Sequence, residues 1–211
     1  MSRLLSLLAA CALLGACSSS STSLHHYQLQ GSEQNTDSSG PTLFSRDHLQ
    51  SEHLLRLSPI AVRGTLNNRA MVIKRSAHQV YSANYHFWAD APAQLLATMA
   101  QSQLMQELDK VMVVKGAEVY AEQLQASFFQ LDVSIEQFNG GLDNNAEIAG
   151  TWRLSKVDAK GKLHVLKISR FYHSQALAED GYEALAKALS QAWQQALSEM
   201  SADINTLIAS A

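Results

Sequence analysis

Residues Phe129-Gln130-Leu131-Asp132-Val133-Ser134-Ile135-Glu136 alternate apolar and polar without an error. Successive side chains of a strand point to opposite faces, so this run describes a strand buried on one face and wet on the other. Ile148, Gly150, Trp152 and Leu154 repeat the pattern against Thr151, Arg153 and Ser155. Between the two runs, residues 139–145 contain Gly140-Gly141 and read as a loop, and Asp158 to Lys162 reads as a turn. Leu163 to Tyr172 follows as a third strand. Three consecutive strands with short connections make an antiparallel meander, and its apolar face requires a covering layer.

Two helices are expected to supply that layer. In residues 180–208, Tyr182, Leu185, Leu189, Trp193, Ala196, Met200 and Ile204 recur every three or four positions, the stripe of a helix lying on a sheet. Residues 91–108 carry Leu95, Met99, Leu104 and Leu108, with Asp90 as the expected cap and Pro92 in the first turn. Further strands are expected at Tyr27-Gln28-Leu29, at residues 54–62 with Pro59 at an edge or end, at Met71-Val72-Ile73 and Gln79-Val80-Tyr81 around a turn near Ser76, and at residues 117–121. Residues 31–40 are polar and without period, as in a loop. No internal repeat is visible. The expectation is an α/β fold: a single-domain sandwich over residues 25–208, with a mixed sheet, a C-terminal antiparallel meander and two main covering helices.

Ahead of this domain lies a three-part leader. Arg3 is the only charge before residue 33, and residues 4–14 are apolar except for Ser6. Leu14-Gly15-Ala16-Cys17 then resembles a lipobox: an aliphatic residue, two small residues that let the backbone lie flat in a peptidase, and a cysteine whose thiol receives a diacylglyceryl group. The similar string Leu8-Ala9-Ala10-Cys11 would leave too short an apolar segment. The run is also roughly half of the ~20 residues needed to span a bilayer. Residues 1–16 are therefore read as an export signal and Cys17 as the lipidated N-terminus, bearing N-acyl and S-diacylglycerol lipid. One acyl chain anchors only marginally, whereas several hold a protein firmly. Ser18 is expected to act in sorting, releasing the protein to the outer membrane where Asp would retain it. Residues 17–24 form a short polar tether, and at ~3.3 Å per extended residue it reaches roughly 20 Å.

This reading bounds the chemistry. The chain has two cysteines; one leaves with the leader and the other is acylated, so no thiol remains for a disulfide, a thiolate metal site or a nucleophile. The formal net charge of -3 offers nothing to nucleic acid. There is no Walker loop, no dinucleotide fingerprint, no nucleophile elbow and no H-E-x-x-H pair. His25-His26 is a metal candidate only with further ligands. Asp143 and Glu147 lie close in sequence, without neighbours that would separate their pKa values. No catalytic residue, no metal and no cofactor beyond the covalent lipid is expected.

Tyr85-His86-Phe87-Trp88 places three aromatics just before a helix. One arrangement sends Tyr85 and Phe87 into the core and His86 with Trp88 outward; the other leaves contiguous aromatics exposed as an interface. Around this cluster the chain resembles the ABC-type transport auxiliary lipoprotein family, and within it the PqiC-like members. The resemblance runs in order through the lipobox, Tyr27-Gln28-Leu29, Arg69-Ala70-Met71-Val72-Ile73-Lys74-Arg75, Tyr85 to Pro92, Ile135-Glu136-Gln137-Phe138, Trp152-Arg153-Leu154 and Tyr182-Glu183-Ala184-Leu185. Ala70 replaces a frequent proline, and Asp90-Ala91-Pro92 inserts a residue before the proline.

The resemblance implies a non-catalytic outer-membrane lipoprotein, on the periplasmic face, serving an MCE-type intermembrane lipid transport system and envelope integrity. The implied partners are an MCE-domain transporter subunit, the membrane through the lipid, and further copies in a homo-oligomer, since closed rings are the common symmetric solution. Arg69, Tyr85, Phe87 and Trp88 form the candidate interface. A periplasmic lipid-binding chaperone with its own apolar pocket is the alternative.

Overall fold

A computed structural model describes residues 23–31, 51–116 and 127–210. The leader, Cys17 and Ser18, most of the 31–40 loop and the strand expected at 117–121 lie outside the described residues. In chain order the elements are β1 (His25–Tyr27), β2 (His53–Leu57), β3 (Ala61–Val62), a 3-10 turn (Gly64–Leu66), β4 (Ala70–Ser76), β5 (Gln79–Trp88), α1 (Pro92–Glu107), β6 (Val111–Lys115), β7 (Phe128–Gly140), β8 (Asn145–Val157), β9 (Leu163–Ala176) and α2 (Tyr182–Ala209).

The nine strands among the described residues belong to one mixed sheet. The meander β7-β8-β9 is antiparallel, with Phe128 opposite Val157 and Gly140 opposite Ala146. The other edge of β7 is shared in succession by β2, β3 and β4, all parallel to it. Beyond them, β6 pairs with β2, while β5 and then β1 extend the sheet from β4. The two edges furthest apart are therefore β1 and β9.

The alternation of β7 lands as its sequence requires. Leu131, Val133 and Ile135 are buried, and Gln130, Asp132, Ser134 and Glu136 lie on the other face. A bulge between Ile135 and Gln137 then shifts the phase, so Phe138 and Gly140 are the next inward residues. An extra residue does this because the side-chain period is two. Gly150, opposite Ile135, is tied to this point: a Cβ there would stand 2.2 Å from the Ser134 carbonyl and 2.9 Å from the Phe171 ring.

Both helices cover the Leu131 face. The stripe of α2 is buried from Leu185 through Leu189, Trp193, Ala196, Met200 and Ile204. Trp193 is fully buried; its ring lies 5.9 Å from that of Phe171, and its indole N–H donates to the Leu96 carbonyl on α1 at 3.2 Å. A second seam closes the helix pair: Gln103 donates to the Gln194 carbonyl, Ser198 and Ser201 donate to the Glu107 carboxylate, and Asn205 donates to the Glu107 carbonyl. On the face without helices, Arg153 donates two hydrogen bonds to Asp132. Burial pushes the Asp132 carboxyl up, but hydrogen bonds from Ser58, Arg153 and Gln130 outweigh it and hold its pKa below the usual value.

Several local expectations are corrected. The first strand is His25–Tyr27, not residues 27–29. The 54–62 run is two strands separated at Pro59, whose missing N–H cannot serve a ladder. β6 was not anticipated: an apolar run of four soon after a helix carries no period of its own. Asp90 does not cap α1. Ala91 is the N-cap and makes no side-chain cap bond, while Pro92 occupies the first turn. The residue inserted before the proline puts Asp90 one position too early. Trp193→Ala should cost about 3–5 kcal/mol in a denaturant melt, because it leaves a cavity under both helices. Trp193→Phe should recover part of that loss; equal stability of wild type and Trp193→Ala would refute this account of the core.

Candidate functional site

The candidate interface residues converge on the edge formed by β1, β5 and the start of β4. Arg69, just before β4, donates from Nε to the Trp88 carbonyl at 3.1 Å and from Nη2 to the Ala89 carbonyl at 2.5 Å. The Trp88 amide donates back to the Arg69 carbonyl at 2.6 Å, and the Ala89 amide donates to the Tyr27 carbonyl at 2.7 Å. Arg69 is thus a clamp on the end of β5, where that strand also holds β1.

The aromatic cluster divides by alternation, but with the opposite pair inward from the core arrangement weighed above. Trp88 is buried and stacks on Phe138 with ring centroids 5.0 Å apart. It presents no surface for a partner. Tyr85 is 46% exposed and Phe87 half-buried. The reason is an irregularity in the β4–β5 pairing. Val72 to Ala70 spans two residues of β4, while their partners Ser82 and Phe87 are five apart on β5. Within β5, Ala83 and Trp88 are both buried although they are five positions apart, an odd offset. The inward face has changed phase between them, which periodicity does not disclose.

His86 is the centre of a side-chain stack that sequence reasoning passed over. Its ring lies 5.1 Å from His25 on β1 and 4.0 Å from Tyr182 at the start of α2, with interplanar angles of 12° and 15°. With the imidazole neutral, the Tyr27 hydroxyl donates to Nδ1 at 2.8 Å. β1, β5 and α2 therefore meet at one ring. Glu183 of α2 also acts on Tyr27, while Tyr81 and Arg75 act on Tyr182; the Arg75 guanidinium lies over the Tyr81 ring at 3.9 Å. Burial lowers the His86 pKa, and His25 adds to the shift. Burial raises the Tyr27 pKa, with Glu183 contributing in the same direction.

The remaining candidates do not assemble into a reactive centre. His25 is engaged with Ser23 and His86, and His26 faces Phe87 with ring centroids 6.1 Å apart. Among the described residues, no group of three or more His, Cys, Asp or Glu side chains is placed to hold a metal. Glu147 is paired with Lys74 and reached by Asn139, away from any joint role with Asp143. Residues 28–31 cross the helix pair, held by Ser190 donated to by the Gln30 amide and by Gln194 donating to the Gln30 carbonyl. Open clefts of about 490 and 830 Å³ flank this segment, and their walls are rich in amides: Gln28, Gln94, Gln103 and Gln106 in one, Gln191 and Gln194 in the other. Leu29, Leu95 and Met99 also line the first cleft, so its wall mixes polar and apolar groups.

His86 makes a pH dependence predictable. A folded-state pKa below the ordinary histidine value of 6.5 means that the opened state binds more protons. The contribution of the stack is then fully present above that value and is lost as pH falls through the lowered one. Amide exchange at Ala89, corrected for intrinsic rates, should accelerate relative to the core in that acid window. His86→Phe keeps a ring in the stack without a titrating group and should flatten the profile; an unchanged profile would rule out His86 as its source.

The profile of the ABC-type transport auxiliary lipoprotein component matches residues 27–201. The intermembrane transport lipoprotein PqiC of Escherichia coli (strain K12) is 26% identical over 195 residues, covering 92% of this chain and 93% of that protein; PqiC of Shigella flexneri gives the same values. Among solved structures, a crystal structure of an uncharacterized protein superposes with a TM-score of 0.67 at 22% identity, covering 86% of this chain and 99% of the other. Protein XCC0632 from Xanthomonas campestris superposes with a TM-score of 0.60 at 11% identity, covering 75% of this chain and 86% of the other. These two likenesses bear on the fold. The profile match spans every described element except the last residues of α2 and the start of β1, and the chain belongs to the ABC-type transport auxiliary lipoprotein family.

Proposed function

We propose that this chain is a non-catalytic, lipid-anchored subunit of an MCE-type intermembrane lipid transport system, and that it docks the periplasmic tunnel at the outer membrane. The observation that carries the reading is the family match over residues 27–201 placed directly behind a lipobox at Leu14-Gly15-Ala16-Cys17. The anchor is lipid on Cys17, and Ser18 sets its sorting. The name of the Escherichia coli relative, an intermembrane transport lipoprotein, supports a role between two membranes. The partners are an MCE-domain subunit and further copies of this chain arranged as a ring.

Three outcomes are expected. Cys17→Ala should abolish incorporation of labelled palmitate, and retained label would place the anchor elsewhere. Ser18→Asp should shift the protein to the inner-membrane fraction in a host that uses the Asp retention rule; unchanged fractionation would overturn the sorting role. Detergent-extracted protein at native levels should co-purify with an MCE-domain subunit, whereas isolation as a bare monomer would count against the docking role.

A further inference from the structure

We propose that the chain-entry edge of the sheet is itself a lipid-contacting surface, with Leu24, His26, Tyr85 and Phe87 lying against the bilayer that holds Cys17. This rests on the anchor reading above and adds to it a definite orientation of the domain.

The register supplies the first part of the argument. β1 runs parallel to β5, with His25 opposite His86 and Tyr27 opposite Trp88. The beginning of β1, where the chain arrives from Cys17, is therefore at the level of His86 and not at the far end of β5. Leu24 immediately precedes this pairing on one strand and Tyr85 on the other. Leu24 is 60% exposed and Tyr85 46% exposed, side by side at the start of this pairing.

Alternation supplies the second part. His25, Tyr27, His86 and Trp88 share the inward face, as the stack on Tyr182 and the Trp88–Phe138 contact require. His26 and Phe87 then point to the other face, where their rings lie 6.1 Å apart, although His26 also borders the cleft beside α2. Leucine with tyrosine, phenylalanine and histidine is an interfacial composition: apolar bodies with polar tips.

Chain length commits the occupant. Six residues, 18–23, lie between Cys17 and Leu24, making seven Cα-to-Cα steps. Fully extended, they span at most ~25 Å, so this patch cannot leave the neighbourhood of the bilayer, and lipid is the surface it meets most often. The apolar row on β9, with Leu163, Val165, Ile168 and Tyr172 exposed, has no such constraint. It lies on the fifth strand from β1, about 24 Å away at ~4.8 Å per strand, and serves as the control.

The test uses the full chain, processed and lipidated in its host and reconstituted into vesicles of phosphatidylethanolamine and phosphatidylglycerol. With Cys17 acylated, Tyr85→Cys and Ile168→Cys each provide a single thiol for an environment-sensitive fluorophore. The label at position 85 should shift to the blue and be quenched by doxyl-labelled lipid at least threefold more than the label at 168. Adding Leu24→Asp should bring the quenching at 85 down towards that at 168, with the far-ultraviolet circular dichroism unchanged. If the protein floats with the vesicles but the two labels are quenched equally, the contact surface is refuted while the anchor stands. If the protein fails to float with the vesicles, the anchor reading falls and the orientation falls with it.

Discussion

Backbone hydrogen bonding along β7 holds the rest of the sheet in register. One edge of the strand is occupied over its whole length by β8, and the other edge is divided among β2, β3 and β4. Short strands of two to seven residues have little stability alone, since a ladder needs neighbours on a buried face. β7 provides that face for all of them. Its bulge at Ile135/Gln137 then matters far from itself, because it sets which residues of the Gly140 end face inward. There Ile73 of β4 and Leu185 of α2 crowd against Gly140. The Gly140 end in turn carries β4, then β5, then β1.

At the outermost step of that series the backbone alone is a weak hold. β1 has three residues, and one of its edges has no partner among the described residues. Side chains make good the difference. His25, His86 and Tyr182 form one stack, Tyr27 bonds His86, and the Arg69 clamp fixes the adjacent end of β5. With the anchor proposed above, any pull between domain and membrane passes first through β1. Rings packed on both a strand and the start of a long helix transmit that load into the core, where α2 is bound to α1 through Trp193 and Glu107.

The larger elements were legible from the sequence for a common reason. The meander and α2 are long and amphipathic, and each buries one regular face, so periods of two and of three to four residues survive in the order of the side chains. Elements that were missed or misplaced lack that property. β6 is four apolar residues and a lysine, too short to show a period, and β1 is held by side-chain stacking of histidines that resemble surface residues in any one-dimensional reading. The Tyr85–Trp88 segment was legible as an alternating pair of faces. Which face would be core depended on a phase change within β5 that arises only against β4.

The sequence by itself determined the meander, the two helices and the family. Each of these is written in contiguous residues or in a local period. Tertiary structure alone decided that Trp88 is core while Tyr85 and Phe87 face outward, that Arg69 is a backbone clamp, and that His86 joins β1 to α2. Those outcomes depend on register between strands distant in the chain, and a shift of one residue reverses every side chain's face.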